Sequence, residues 1–199
     1  NWSTLNWTDS NGVGINPDWR IVTNVTLTAT ADAIITRDVT TEAITSLTIA
    51  ESSFKIDLQG TALTALTTLA AKGDVSFGPG MLTTMPTALS GDAEITFYTD
   101  VATTLGGGGT TYAYNDFTGR WIIEDGATLT IGGEGGGKMG QLNWNSAIAD
   151  SGQIEVRQGG TLTLGTNHAF GWADGANQRN RTVLVVDGGR VVCDANYDQ

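Results

Sequence analysis

The chain has 199 residues, long enough for one domain with a sizeable core. Of these, 40% are hydrophobic, 16% are charged, 27 are Gly and 31 are Thr, a composition that argues against disorder and for a packed protein. With 10 Lys and Arg against 21 Asp and Glu, the formal charge is −11, so nucleic acid, which requires a basic face, is not expected as a partner, and an anionic membrane surface is disfavoured for the same reason.

A single cysteine, Cys193, rules out an internal disulfide framework and a cysteine-based zinc cluster, and a single histidine, His168, rules out a His-rich metal site. No apolar run reaches the length of a bilayer span, so membrane insertion is not expected within this chain. Few lysines and cysteines with much Thr, Gly and Asn fit a secreted or surface-displayed bacterial protein. The sequence opens at Asn1 with neither Met nor a signal-peptide pattern, which reads as a processed chain or a segment of a longer one.

In chain order, period-two alternation appears at Val25-Thr26-Leu27-Thr28, Leu47-Thr48-Ile49, Phe54-Lys55-Ile56-Asp57-Leu58 and Ile95-Thr96-Phe97. Thr, Val and Ile suit strands, so these read as half-buried β-strands. Residues 61–72 carry leucines at 63, 66 and 69, a spacing that fits a short helix, a 3₁₀ piece or a turn-rich excursion. Two Gly-rich stretches, 106–109 and 132–137, read as loops.

The second half contains a repeat. Trp121 to Ile131, Ile154 to Leu164 and Val183 to Cys193 align without gaps on Gly126, Gly159 and Gly188, which lie 33 and then 29 residues apart. Apolar residues recur five and three positions before the glycine (Trp121, Ile154, Val183; Ile123, Val156, Val185). They recur again three and five positions after it (Leu129, Leu162, Val191; Ile131, Leu164, Cys193). Each unit therefore reads as strand, glycine corner, strand, the glycine supplying the positive φ that a sharp corner often needs. One such unit cannot bury its apolar face alone; stacked copies bury a continuous core, which is the logic of a β-solenoid. The alternation also predicts outward columns, with Glu124 beside Arg157, Thr128 beside Thr161 and Thr130 beside Thr163. Cys193 falls on the inward register and is expected to be a buried thiol. The fold class expected is all-β, a single β-solenoid domain over 1–199, less regular over 1–110 and clearly repetitive over 111–199.

The segment from Asn115-Asp-Phe117-Thr118-Gly119 through Gly126-Ala-Thr-Leu129-Thr-Ile131 to Gly132-Gly133 resembles the autotransporter-associated β-strand repeat. That repeat runs Asn, any residue, aromatic, Ser or Thr, Gly, a short strand, Gly, any residue, Leu and a Gly-containing turn. Gly160-Thr-Leu-Thr-Leu-Gly165-Thr-Asn167-His-Ala-Phe-Gly171 is similar to the next segment of the same family, and Asn1-Trp2 to Asn6-Trp7-Thr8-Asp9 to its lead-in. The resemblance covers roughly residues 110–195, with weaker support for 1–60. It implies a right-handed parallel β-helix in a large surface-displayed or secreted bacterial protein, and it transfers no catalytic residue. The chain lacks the family's C-terminal membrane-barrel pattern.

Several motifs invite chemistry. Residues 132–139 nearly match a phosphate-binding loop, but Met139 replaces the hydroxyl residue and Gln141-Leu-Asn-Trp-Asn-Ser is a poor helix start, so no nucleotide or other cofactor is expected. His168 reads as a turn residue. Acidic candidates for polysaccharide cleavage are Asp92 with Glu94, Glu124 with Asp125, and Asp187, but no converging third group is evident. Asp125 and Asp187 sit one residue before their corner glycines, where an aspartate commonly bonds nearby backbone N–H groups. Trp144 with Asn143 and Asn145, and Trp172 with Asn167 and Asn177, have the chemistry of a glycan-binding surface, or else cap the core. Sequons at Asn1, Asn6, Asn24 and Asn180 matter only in a source that glycosylates Asn.

The function expected is a structural and adhesive module of a secreted or surface-displayed bacterial protein, presenting loops to partners such as surface glycans. The alternative is a self-assembling extracellular fibre subunit, associating through its coil ends. A polysaccharide-active lyase or hydrolase is the third and least favoured reading.

Overall fold

A computed structural model of the chain describes residues 1–2, 5–9, 11–18, 20–38, 44–103, 116–132, 152–165, 169 and 182–193. The described residues are all-β, with parallel sheets and no α-helix. One sheet has seven strands. In spatial order they are Ala33–Arg37, Ile56–Gly60, Val75–Phe77, Glu94–Phe97, Arg120–Ile123, Gln153–Arg157 and Val183–Asp187, each parallel to its neighbours. A second sheet holds Asn24–Leu27, Ser46–Ile49, Thr68–Ala71, Ala88–Gly91 and Asp116–Phe117. A third holds Val101–Thr103, Thr128–Ile131, Thr161–Leu164 and Arg190–Cys193. The chain alternates between the second sheet and the long sheet up to residue 97, enters the third at Val101–Thr103 and the second once more at Asp116–Phe117, and from Arg120 onward alternates between the long sheet and the third. Spatial order therefore follows chain order within each sheet. Among the described residues the only antiparallel pair of strands is a short hairpin, Trp7–Thr8 with Gly14–Ile15.

Alternate residues of each strand form columns that run across the sheets. In the long sheet Ile35, Leu58, Phe77, Phe97, Ile123, Val156 and Val186 are register partners, and all but the last are buried. A second column runs Ala33, Ile56, Val75, Ile95, Trp121, Ile154 and Leu184. Facing them in the second sheet are Val25, Leu47, Leu69 and Leu89, beside Leu27, Ile49, Ala71 and Gly91. The shrinking side chains at Ala71 and Gly91 coincide with the arrival of large rings: Phe77 stacks on Phe97, Phe97 meets Trp121 edge-on, and Phe117 stacks on Trp121, each at 6.4 Å. Setting small side chains against large ones is how a close-packed core stays filled. A Cβ at Gly91 would run into the Ala71 backbone, so this column demands glycine.

The expected register of the second half is met at most positions. Trp121 pairs with Ile154, Ile123 with Val156, Leu129 with Leu162 and Val191, and Ile131 with Leu164 and Cys193. Thr128 meets Thr161 and Thr130 meets Thr163. The corner glycines Gly126, Gly159 and Gly188 have φ of 78°, 80° and 72°.

Two expectations need correction. Neither Val183 nor Val185 is in its expected column: Val183 pairs with Gln153 and Val185 with Glu155, and Leu184 and Val186 take their places beside Ile154 and Val156. The third corner is one residue shorter than the second, and the unbroken apolar run Val183-Leu184-Val185-Val186 carries no alternation to fix its face. Cys193 keeps its inward register but is exposed, because its strand is the last of its sheet. Of the readings open for residues 61–72, the turn-rich excursion is the one met: it ends in the strand Thr68–Ala71, with Leu63, Leu66 and Leu69 all buried.

The two ends of the sheets differ. At the first, Trp2 is fully buried, Trp7 lies 5.5 Å from it and donates its indole N–H to the Trp2 carbonyl at 3.0 Å, and Leu5 and Trp7 pack on the core. At the other, Val183, Leu184 and Val186 remain 39–49% exposed. No helix among the described residues is long and apolar enough to cross a membrane.

Candidate functional site

The outward face of the long sheet carries the richest polar chemistry among the described residues. Because the strands are in register, Asp57, Ser76, Thr96, Ile122, Glu155 and Val185 form one row across it. Four of these, Ser76, Thr96, Ile122 and Glu155, are no more than 9% exposed, so the middle of this sheet is dry on both faces. Ile122 is buried here apart from the main core cluster.

Buried polar groups must be hydrogen-bonded, and these are. The Ser76 hydroxyl donates to Asp57 Oδ1 at 2.8 Å, and Gln59 Nε2 donates to Asp57 Oδ2 at 2.7 Å. Lys55 Nζ donates to Thr96 Oγ1 at 3.3 Å. Further along the row runs a chain of alternating charges: Glu94, Arg120, Glu155, Arg157, Glu124. Arg120 bonds Glu94 with one arm and Glu155 at 3.0 Å with the other. Arg157 bonds Glu155 at 2.7 Å and Glu124 at 2.6 Å. The Glu124–Arg157 pair is the one expected from the repeat; its extension through Glu155 is not.

These partners set the acidities. The hydrogen bond from Arg157 holds the Glu155 carboxyl below the usual glutamate range, with the charges of Arg157 and Arg120 adding and burial opposing. Arg157 is correspondingly raised, first by its hydrogen bond to Glu155. The Tyr98 phenol is pushed up, first by burial and then by the charges of Glu124 and Asp57, against Arg157.

A glycosidase needs two carboxyl groups about 5–10 Å apart, with the acid pushed up. Asp57 and Glu155 are four strand spacings apart, about 19 Å. Glu94 and Glu124 are each bound to an arginine shared with Glu155, whose carboxyl is pushed down. This arrangement cross-links neighbouring strands.

The other acidic candidates are not brought together. Asp92 is exposed ahead of the strand containing Glu94, Asp125 is exposed at its corner, and Asp187 is exposed in register with Arg157. The aspartates that do bond backbone N–H groups at strand starts are others. Asp32, Asp74 and Asp100 each stand one residue before a strand. Each accepts from the next turn of chain: from the Lys55 N–H at 2.9 Å, the Glu94 N–H at 2.9 Å and the Thr128 N–H at 2.8 Å. A second missed device is a threonine ladder, in which Thr45, Thr67 and Thr87 donate their hydroxyls to the carbonyls of Thr23, Thr45 and Thr67 at 3.1–3.2 Å. The visible signal for the first is Asp directly before an apolar alternation. For the second it is Thr two residues before one. A third missed residue is Arg37, inward-facing and 5% exposed, whose guanidinium donates to the carbonyls of Thr61 and Ala62.

Trp144, Asn143, Asn145, Trp172, Asn167 and Asn177 lie outside the described residues, as do His168, Asn180 and all but Gly132 of the phosphate-loop-like stretch. Comparison with known protein families, with curated proteins and with solved structures finds no match.

Proposed function

We propose that the chain is a right-handed parallel β-helix that serves as a structural and adhesive module of a secreted or surface-displayed bacterial protein, of the kind built from autotransporter-associated repeats. The observation that carries this is the seven-strand parallel sheet with unbroken inward columns and an outward face tied by ion pairs and hydroxyls. Such a stack is long, flat-sided and internally cross-linked, which suits a scaffold that holds other segments away from a surface. We propose no enzymatic activity, because Glu94, Glu124 and Glu155 are bound to arginines rather than poised as acid and base. Extracellular protease treatment of intact source cells tests the reading: loss of the protein from unbroken cells supports display, and protection until lysis overturns it.

The exposed apolar strand Val183–Asp187 favours a second reading, self-association through that end. Because Trp2, Leu5 and Trp7 close the opposite end, head-to-tail fibres would require that hairpin to move aside. Sedimentation velocity with negative-stain imaging distinguishes a monomer from filaments.

A further inference from the structure

Between the N-terminal hairpin and the turn joining the first two parallel strands lies an open groove of about 560 Å³, within the size range of small-ligand sites. Its described walls combine two kinds of surface. Trp7, half-buried, and the exposed Ile34 supply apolar area, while the exposed Asn6, Thr26 and Thr28 supply an amide and hydroxyls. The indole of Trp7 is held by its N–H bond to the Trp2 carbonyl, so its ring is fixed in place before any ligand arrives. The only charged group among the described lining residues is Asp32, whose Oδ1 already accepts from the Lys55 backbone N–H.

We propose that this groove binds a short neutral oligosaccharide. Sugar rings present apolar C–H faces to an indole and hydroxyls at their edges to amides and threonines, and this groove offers both within one hollow. The described lining contains no Lys or Arg, and the chain carries −11. An anionic glycan or a phosphorylated ligand would therefore meet repulsion without a compensating cation. An extended peptide adding to the sheet edge would need that edge clear along its length, whereas Leu5 and Trp7 pack across this end of the core. The proposal takes its ligand class from the adhesive reading, but its test uses the purified chain alone. A protein that is surface-displayed yet binds no sugar would sink only the groove.

The experiment is titration of the full chain with cellotetraose, maltotetraose, xylotetraose, mannotetraose and N-acetylchitotetraose, with tetragalacturonic acid as the anionic comparison. Calorimetry and tryptophan fluorescence supply the readout. At least one neutral sugar is expected to bind with a Kd below about 1 mM. Thr28→Trp, which fills the groove from an exposed position, should weaken that binding at least tenfold at unchanged melting temperature. If Thr28→Trp unfolds the chain, Asn6→Ala, which removes only an exposed amide, should weaken binding about threefold or more. No saturable binding to any neutral sugar, a preference for tetragalacturonic acid, or binding indifferent to these substitutions would overturn the proposal.

Discussion

Replacing Val156 by Asp probes the inward column at a fully buried position. Val156 is 0% exposed, stands in register between Ile123 and Val186, and has Gly189 packed against its side chain. A carboxyl placed there has no partner on this face and folds only in its neutral form. Holding an aspartate of ordinary pKa ~3.9 protonated at pH 7 costs about 4 kcal/mol, at 1.36 kcal/mol per pH unit. Loss of the valine's burial adds ~1.5–3 kcal/mol. The sum, about 6 kcal/mol, is comparable to the whole stability of an ordinary domain, ~5–15 kcal/mol. The folded-state pKa is raised, so the penalty is smallest below about pH 4 and grows as pH rises toward that raised value. Val186→Asp, in the same column but 49% exposed, should cost under ~1 kcal/mol. Urea unfolding followed by far-UV circular dichroism at pH 4 and pH 7 reads both variants. An unchanged midpoint for Val156→Asp at pH 7, or equal losses for the two variants, would refute the column.

The ion chain should behave unevenly. Glu124→Ala removes one part-exposed pair and should shift unfolding by under ~1 kcal/mol. Glu155→Ala removes the carboxylate that Arg120 and Arg157 share, leaving each with one partner, and should cost ~1–3 kcal/mol by the same measurement. Glu155 has a lowered folded pKa, so its contribution is present above the ordinary glutamate value of ~4.3 and lost as pH falls through the lower folded value. The stability gap between the wild type and Glu155→Gln should therefore close below about pH 4, and a gap constant from pH 7 to pH 3 would contradict the assignment. At the corners, Gly126→Ala meets open space and should cost only the ~1–2 kcal/mol of a positive φ. Gly160→Ala drives its Cβ into the backbone carbonyls of Ile123 and Glu124, so its thermal midpoint should fall further than that of Gly126→Ala; equal shifts would contradict the close packing of this corner.

How much of this was legible depended on what marked each repeat. In the second half a glycine of positive φ sits at a fixed distance from each apolar position, so Trp121, Ile123, Ile154, Val156, Leu129 and Leu162 could be placed by their shared spacing from it. That spacing failed at Val183–Val186, where four apolar residues leave either face possible. The first half repeats just as regularly, but its marker is Thr23, Thr45, Thr67 and Thr87, spaced 22, 22 and 20 residues apart, and its inward positions shrink to Ala71 and Gly91. An alignment built on glycine and large apolar residues does not find it. Of the outward network, Glu124 and Arg157 were visible as aligned opposite charges, whereas Glu155 aligns with Ile122, and the Lys55–Thr96 contact spans 41 residues. Such contacts follow from three-dimensional register, which sequence spacing does not display when turns vary in length.

The central claim is that successive repeats lie as parallel, in-register neighbours. Amide-to-amide and amide-to-Hα NMR contacts on the isotopically labelled chain test it residue by residue. The account predicts cross-strand contacts that link Leu129 to Leu162 and Leu162 to Val191, and that advance in the same direction along all three strands through Ile131, Leu164 and Cys193. Contacts running in opposite directions, or a pairing of Leu162 displaced from Leu129, would contradict it.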